Sequence, residues 1–149
     1  MTKTFKILSL FTLAAMLGVA SLQAGSACSA SSSKTKMTKA GFSDIQLADL
    51  KQAIADRKVF LIDVNGSTSF KEGHIPGAVD YASVSGKLAS VLPEQKDALI
   101  VAYCGGPQCG AYMKAAKAVA ALGYENVQHY SGGISGWKQA GEPTESAES

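Results

Sequence analysis

The stretch Ala98-Leu-Ile-Val-Ala-Tyr103-Cys104-Gly-Gly-Pro-Gln-Cys109-Gly110 sets how the rest of the chain is read. Its first six residues are apolar and of strand type, and the run ends in a cysteine. Gly105, Gly106 and Pro107 then force a turn. An Ala-rich segment, residues 111–122, follows with helical composition and is closed by Gly123. Strand, tight loop and helix in that order put Cys104 at the carboxyl end of a strand, ahead of a helix N-terminus. The N–H groups of residues 105–110 are expected to turn inward there, with the helix dipole adding positive potential. A thiol so placed should ionise more readily than a free one, and the thiolate is the nucleophile.

Outward from this stretch, strand-like and helical segments alternate. Ile45-Gln-Leu47 reads as a short edge strand, and residues 48–57 as a short amphipathic helix. Val59-Phe-Leu-Ile-Asp-Val64 is continuous and apolar, as in a strand buried on both faces. Ser67 or Thr68 caps a helical turn running through Glu72, and Gly73-His-Ile-Pro-Gly77 is a tight turn. Residues 78–81 predict a strand, and residues 85–92 a helix stopped by Pro93. Residues 127–130 form the last strand, and Gly132-Gly133 turns into a helix over residues 134–140. The alternation predicts an α/β fold: one domain with a mostly parallel five-stranded sheet and helices on both faces. Ligands of such sheets sit at the carboxyl ends of the strands, where Cys104 lies.

The chain has 149 residues, with 14 basic and 12 acidic side chains and one arginine, Arg57. This balance excludes the basic patch of a nucleic-acid binder. Residues 1–27 read as a signal peptide: Lys3 and Lys6 precede an apolar run over residues 7–20, then small residues. Export to the periplasm is the expectation. Gly25-Ser-Ala-Cys28 also resembles a lipoprotein signal without its usual leucine, which would make Cys28 a lipid anchor and the only route to a membrane. Residues 28–42, rich in Ser, Ala, Lys and Thr, read as a flexible linker. Residues 43–142 are the domain and residues 143–149 a polar tail.

Several of these pieces together resemble a rhodanese-like domain. They are Leu61-Ile-Asp-Val64, Phe70-Lys-Glu-Gly-His-Ile-Pro-Gly-Ala78, Ile100-Val-Ala-Tyr-Cys104, Leu122-Gly-Tyr-Glu-Asn-Val127 and Gly132-Gly-Ile-Ser-Gly-Trp137. The resemblance spans about residues 43–141. It implies a sulfurtransferase: a donor hands sulfane sulfur to Cys104, giving a persulfide, and a thiol or cyanide-like acceptor, or a protein acceptor, removes it. No cofactor or metal is implied, and Cys-x4-Cys is not a standard zinc pair. The backbone of Gly105, Gly106, Pro107, Gln108, Cys109 and Gly110 is the expected cradle for the persulfide anion. Asp63, Asn65 and His74 are expected in support, His74 and Asp63 chiefly as structural groups.

Two departures from the family pattern bear on the donor. Many relatives carry Arg or Lys in the loop and Ser or Thr where Gly110 stands; this loop has no charge. That disfavours thiosulfate and favours polysulfide or a protein persulfide. Asn65 stands where an Arg is common. Phosphatases of related fold need a longer loop with an Arg, and Gly110 takes that place. Cys109 is read either as a resolving thiol, able to form a disulfide with Cys104, or as an inert small residue. The alternatives to an enzyme are therefore a sulfur-carrier or binding module, and a thiol–disulfide redox protein using Cys104 and Cys109.

Overall fold

The computed structural model describes residues 36–37 and 41–147. The expected signal peptide, Cys28 and most of the expected linker lie outside the described residues. The central strand is β5, Leu99–Tyr103, flanked in parallel by β3, Val59–Asp63, and β6, Val127–Tyr130. Beyond β3 lies β4, Ala78–Asp80, and beyond β6 lies β2, Ser43–Asp44, both again parallel. This is the five-stranded parallel sheet that the alternation predicts. One further strand, β1, Lys36–Met37, pairs antiparallel with β2, so part of the expected linker extends the sheet.

The continuous apolar sequences of β3 and β5 follow from their position, since central parallel strands are covered on both faces. Period-2 alternation sorts them. Ile62, Ile100, Ala102 and Cys104 face one side, packed with Val84, Leu88, Tyr112, Ala115, Ala116 and Val119. Leu61, Val101 and Tyr103 face the other, packed with Leu50, Ile75, Ile134 and Trp137. The first side is covered by α3, Tyr81–Val84, α4, Leu88–Val91, and α5, Tyr112–Ala121. The second is covered by α1, Leu47–Ala55, and α6, Gly133–Gln139. A short helix, α2, Ser67–Glu72, links β3 to the turn before β4.

Four local expectations are corrected. The first strand is Ser43–Asp44, not residues 45–47, and it is not at the edge because β1 covers it; Leu47 already begins α1. The strand at residues 78–81 stops at Asp80, whose carboxylate accepts from Ala82 N–H at 2.9 Å and starts α3 at Tyr81. The helix at residues 85–92 is instead α3, a 3-10 turn at Ser85–Lys87 and α4. Ser85-Gly86 is a poor helical centre, and Val84 and Leu88 on either side of the break are both buried against the sheet. Finally, the polar tail is tied down. His74 and Glu145 exchange backbone hydrogen bonds at 2.8 and 3.0 Å, Glu145 Oε2 accepts from Gly77 N–H, and Trp137 Nε1–H donates to the Pro143 carbonyl at 2.7 Å.

Candidate active site

β5 ends at Tyr103, and the chain turns through residues 104–111 into α5. The loop is held from outside. Ile134 N–H donates to the Cys104 carbonyl at 2.9 Å and Ser135 N–H to the Gly105 carbonyl at 3.1 Å, so the first turn of α6 spends its free amides on the loop. This close approach is possible because residue 133 is glycine. Its φ is +60°, and a Cβ there would lie 2.4 Å from the Cys104 oxygen and 2.6 Å from Gly106 N. In the sequence Gly133 is only part of a motif; its role as the seat of the loop shows only in three dimensions.

Cys104 does not present an exposed sulfur. It continues the alternation of Ile100 and Ala102 into the α5 face and is 0 % exposed. Its thiol donates to the Cys109 carbonyl, with sulfur and oxygen 3.1 Å apart. Burial, joined by the Cys109 side chain, pushes the Cys104 thiol up to about 11; the N–H groups of Tyr112 and Gly106 oppose this without reversing it. The expectation of a readily ionised Cys104 is therefore overturned. The sequence argument counted loop amides and the helix dipole, but left out desolvation and the carbonyl aimed at the sulfur.

Cys109 has the opposite setting. It is half-buried, and its thiol is held below the ordinary value. Burial pushes it up, but the neighbouring Cys104 side chain and the N–H groups of Ala111 and Gly105 outweigh this. Both cysteines are free thiols. The expected cradle is thus only partly realised. Gly105 and Gly106 direct N–H groups at sulfur, joined by Ala111 and Tyr112 from the start of α5. Cys109 N–H is instead spent on the Gly106 carbonyl at 3.0 Å, and Pro107 has none to give.

Asn65 reaches the loop, and Asp63 holds it there. Asp63 Oδ1 accepts from both the backbone N–H and the side-chain amide of Asn65, each at 2.7 Å. Asn65 Oδ1 in turn lies 3.6 Å from the point where a side chain on Gly105 would begin. Asn65 therefore occupies the flank of the loop as a neutral group. Tyr103, buried beside the Asp63 charge, is pushed well above the usual phenol range, and its hydroxyl accepts from Ile75 N–H at 3.0 Å. His74 takes the structural part: its Nδ1 pairs with the Phe70 carbonyl at 2.7 Å, and its ring stacks on Phe70. His129, unassigned in the sequence, stacks on Tyr112 with ring centroids 3.4 Å apart and so backs the residue whose N–H faces Cys104. Burial holds the His129 pKa below its ordinary value against the Asp44 charge, and among the described residues neither ring nitrogen has a hydrogen-bond partner.

Fold and site together define a class: a parallel α/β domain with a thiol pair in the loop between its central strand and the following helix. The chain belongs to the rhodanese-like domain family, whose model matches residues 46–140. A Bacillus halodurans protein of known structure is 28% identical, with a TM-score of 0.56 over 69% of this chain and 76% of that one. The human single-domain sulfurtransferase shares the fold at 22% identity, with a TM-score of 0.51 over 64% of this chain and 95% of that one. Among curated relatives, the tRNA uridine(34) hydroxylase of Buchnera aphidicola is 29% identical over 99 residues. The match covers 62% of this chain, and the chain spans only 30% of that relative's length.

Proposed function

We propose that this domain is a sulfurtransferase that carries sulfane sulfur as a persulfide of the 104–109 loop, with Cys104 as the family's sulfur-bearing position. The observation that supports this most directly is the ring of main-chain donors around the two sulfurs: N–H groups of Gly105, Gly106, Ala111 and Tyr112, with no charged side chain in the loop. Such donors stabilise the spread negative charge of a persulfide without a counter-ion. They offer little to a dianion, so polysulfide or a protein persulfide is the favoured donor over thiosulfate. A thiol, cyanide or an acceptor protein then removes the sulfur. The work is placed in the periplasm, with Cys28 as a lipid anchor if the signal is of lipoprotein type; the N-terminal mass of the exported protein tests both.

One observation favours a second reading. The Cys104 and Cys109 side chains interact within one loop, so a thiol–disulfide exchange role is chemically open. The two readings separate by intact mass. Reduced protein treated with polysulfide, thiosulfate or 3-mercaptopyruvate gains one sulfur atom under the first reading. Under the second it gains none and loses two hydrogens with a disulfide donor. Turnover with cyanide as acceptor then distinguishes an enzyme from a carrier.

A further inference from the structure

Cys104 has no exposed surface, and the Cys109 carbonyl oxygen lies 3.1 Å from its sulfur. A donor cannot touch the sulfur in this arrangement, so part of its cover must move. The two halves of the loop are held very differently. Residues 104–106 are fixed to α6: the N–H groups of Ile134 and Ser135 hold the Cys104 and Gly105 carbonyls, and a Cβ on Gly106 would lie 3.8 Å from Gly132 and Ser135. Residues 107–110 have no such anchor. Pro107, Gln108 and Gly110 are exposed, and Cys109 is half-buried. Among the described residues, the backbone hydrogen bonds of this segment run from Cys109 N–H to the Gly106 carbonyl at 3.0 Å and from Met113 N–H to the Gly110 carbonyl at 3.2 Å. Both stay within the loop and the first turn of α5. The other tie is the Cys104 thiol itself, donating to the Cys109 carbonyl. A glycine stands at each end of the loosely held segment, at 106 and 110.

We propose that residues 107–110 are a lid over Cys104, hinged at Gly106 and Gly110, and that a sulfur donor reaches the thiol only when this lid swings outward. This rests on the sulfur-transfer reading above and supplies the motion that reading requires. One movement has two effects. It uncovers the sulfur, and it carries away the Cys109 carbonyl, whose lone pairs face the sulfur and oppose a thiolate there. What stays behind is the half clamped to α6 and the start of α5, with the N–H groups of Gly106 and Tyr112 still directed at Cys104. The uncovered thiol gives its proton to solvent, and its thiolate keeps main-chain donors around it. Closed, the lid shields Cys104 from oxidants and alkylating agents. Opening costs little, since it breaks few hydrogen bonds and exposes little apolar surface.

The test uses the full chain. Both loop cysteines lie in the tryptic peptide spanning residues 97–114, and Cys28 lies outside it. Reduced protein is alkylated with iodoacetamide at neutral pH, and the rate at Cys104 is read by fragmentation of that peptide. It should be about tenfold or more below that of free N-acetylcysteine amide. Urea below the unfolding transition should barely change it, because a four-residue lid exposes little surface. Two variants shift it in opposite directions. Gly106→Ala fits the closed lid, with no left-handed φ and no atom nearer than 3.8 Å, but restricts the hinge; it should slow Cys104 by about two- to fivefold. Pro107→Gly frees the open lid and should speed it by about twofold or more. Cys104 reacting at the free-thiol rate, a urea dependence as steep as global unfolding, or equal rates in all three proteins overturns the lid. The rate of gaining one sulfur atom from polysulfide, followed by intact mass, is the separate arm. Loading in the same order supports the lid, and loading without that order overturns it while leaving the sulfur-transfer reading standing. Ordered alkylation with no loading by any sulfane donor leaves the lid and removes that reading.

Discussion

Replacing Gly133 by alanine tests whether the loop is built as described. Two costs are legible. The φ of +60° is left-handed, which costs an alanine about 1 kcal/mol. The added Cβ would also sit 2.4 Å from the Cys104 oxygen, 2.6 Å from Gly106 N and 2.7 Å from the Gly105 carbonyl carbon, all backbone atoms. No rotamer relieves that overlap, so α6 and the loop must part by roughly half an ångström or more. The separation stretches the Ile134-to-Cys104 and Ser135-to-Gly105 hydrogen bonds, each contributing about 0.5–1.5 kcal/mol. The expected loss is about 3–4 kcal/mol. Gly123→Ala is the control: its φ is +87°, but nothing among the described residues lies within 4 Å of the point its Cβ would occupy, so only the backbone cost of about 1 kcal/mol applies. Urea denaturation of both variants measures the difference, and sulfur loading should fall in Gly133→Ala alone. If the two variants lose equal stability and load equally, the clamp of α6 on the loop is not what holds the site.

Three further outcomes are expected. Cys104 keeps its proton in the folded state to about 11, above its ordinary value, so its contribution is complete below pH 9 and is lost as pH rises through 11. Denaturation midpoints should fall over that window, partly offset by the lowered Cys109, and the fall should shrink in Cys104→Ala. Ending the chain after Glu142 strips the acceptor from the buried Trp137 N–H and the backbone pair from His74; a loss of about 2–4 kcal/mol by thermal denaturation is expected, and an unchanged midpoint would show the tail to be passive. Asp80→Ala removes the acceptor of Ser67, Ser83 and Ala82 and should cost about 2–3 kcal/mol. Burial raises the Asp80 pKa, but those donors outweigh it and leave it lowered, so its contribution is present above the ordinary carboxylate value and is lost on acidification; an acid limb of unfolding identical in the variant would count against this.

The order of strands and helices, the five parallel strands, and the placing of Cys104 at a strand's carboxyl end are all legible in the chain. They depend on local composition: continuous apolar runs in β3 and β5, glycine and proline at the turns, alanine in α5. The broken helix at residues 81–91 is harder to read, because Asp80 can cap it only where β4 ends, and that end is set by pairing with β3. The strap over residues 143–145 is invisible in the sequence for a similar reason: its partners, His74 and Gly77, are about 70 residues away in the chain.

The acidity of the two cysteines belongs to the tertiary structure alone. Sequence can name the loop, its lack of charge and its two thiols. Even the alternation of Ile100, Ala102 and Cys104 hints that the last of these faces inward. Which sulfur is dry and which is wet, and whether a carbonyl or an amide points at it, depends on how α5 and α6 pack around residues 104–111. A thiol's ionisation is decided by desolvation and by dipoles within a few ångströms, and those are supplied by residues from separate parts of the chain.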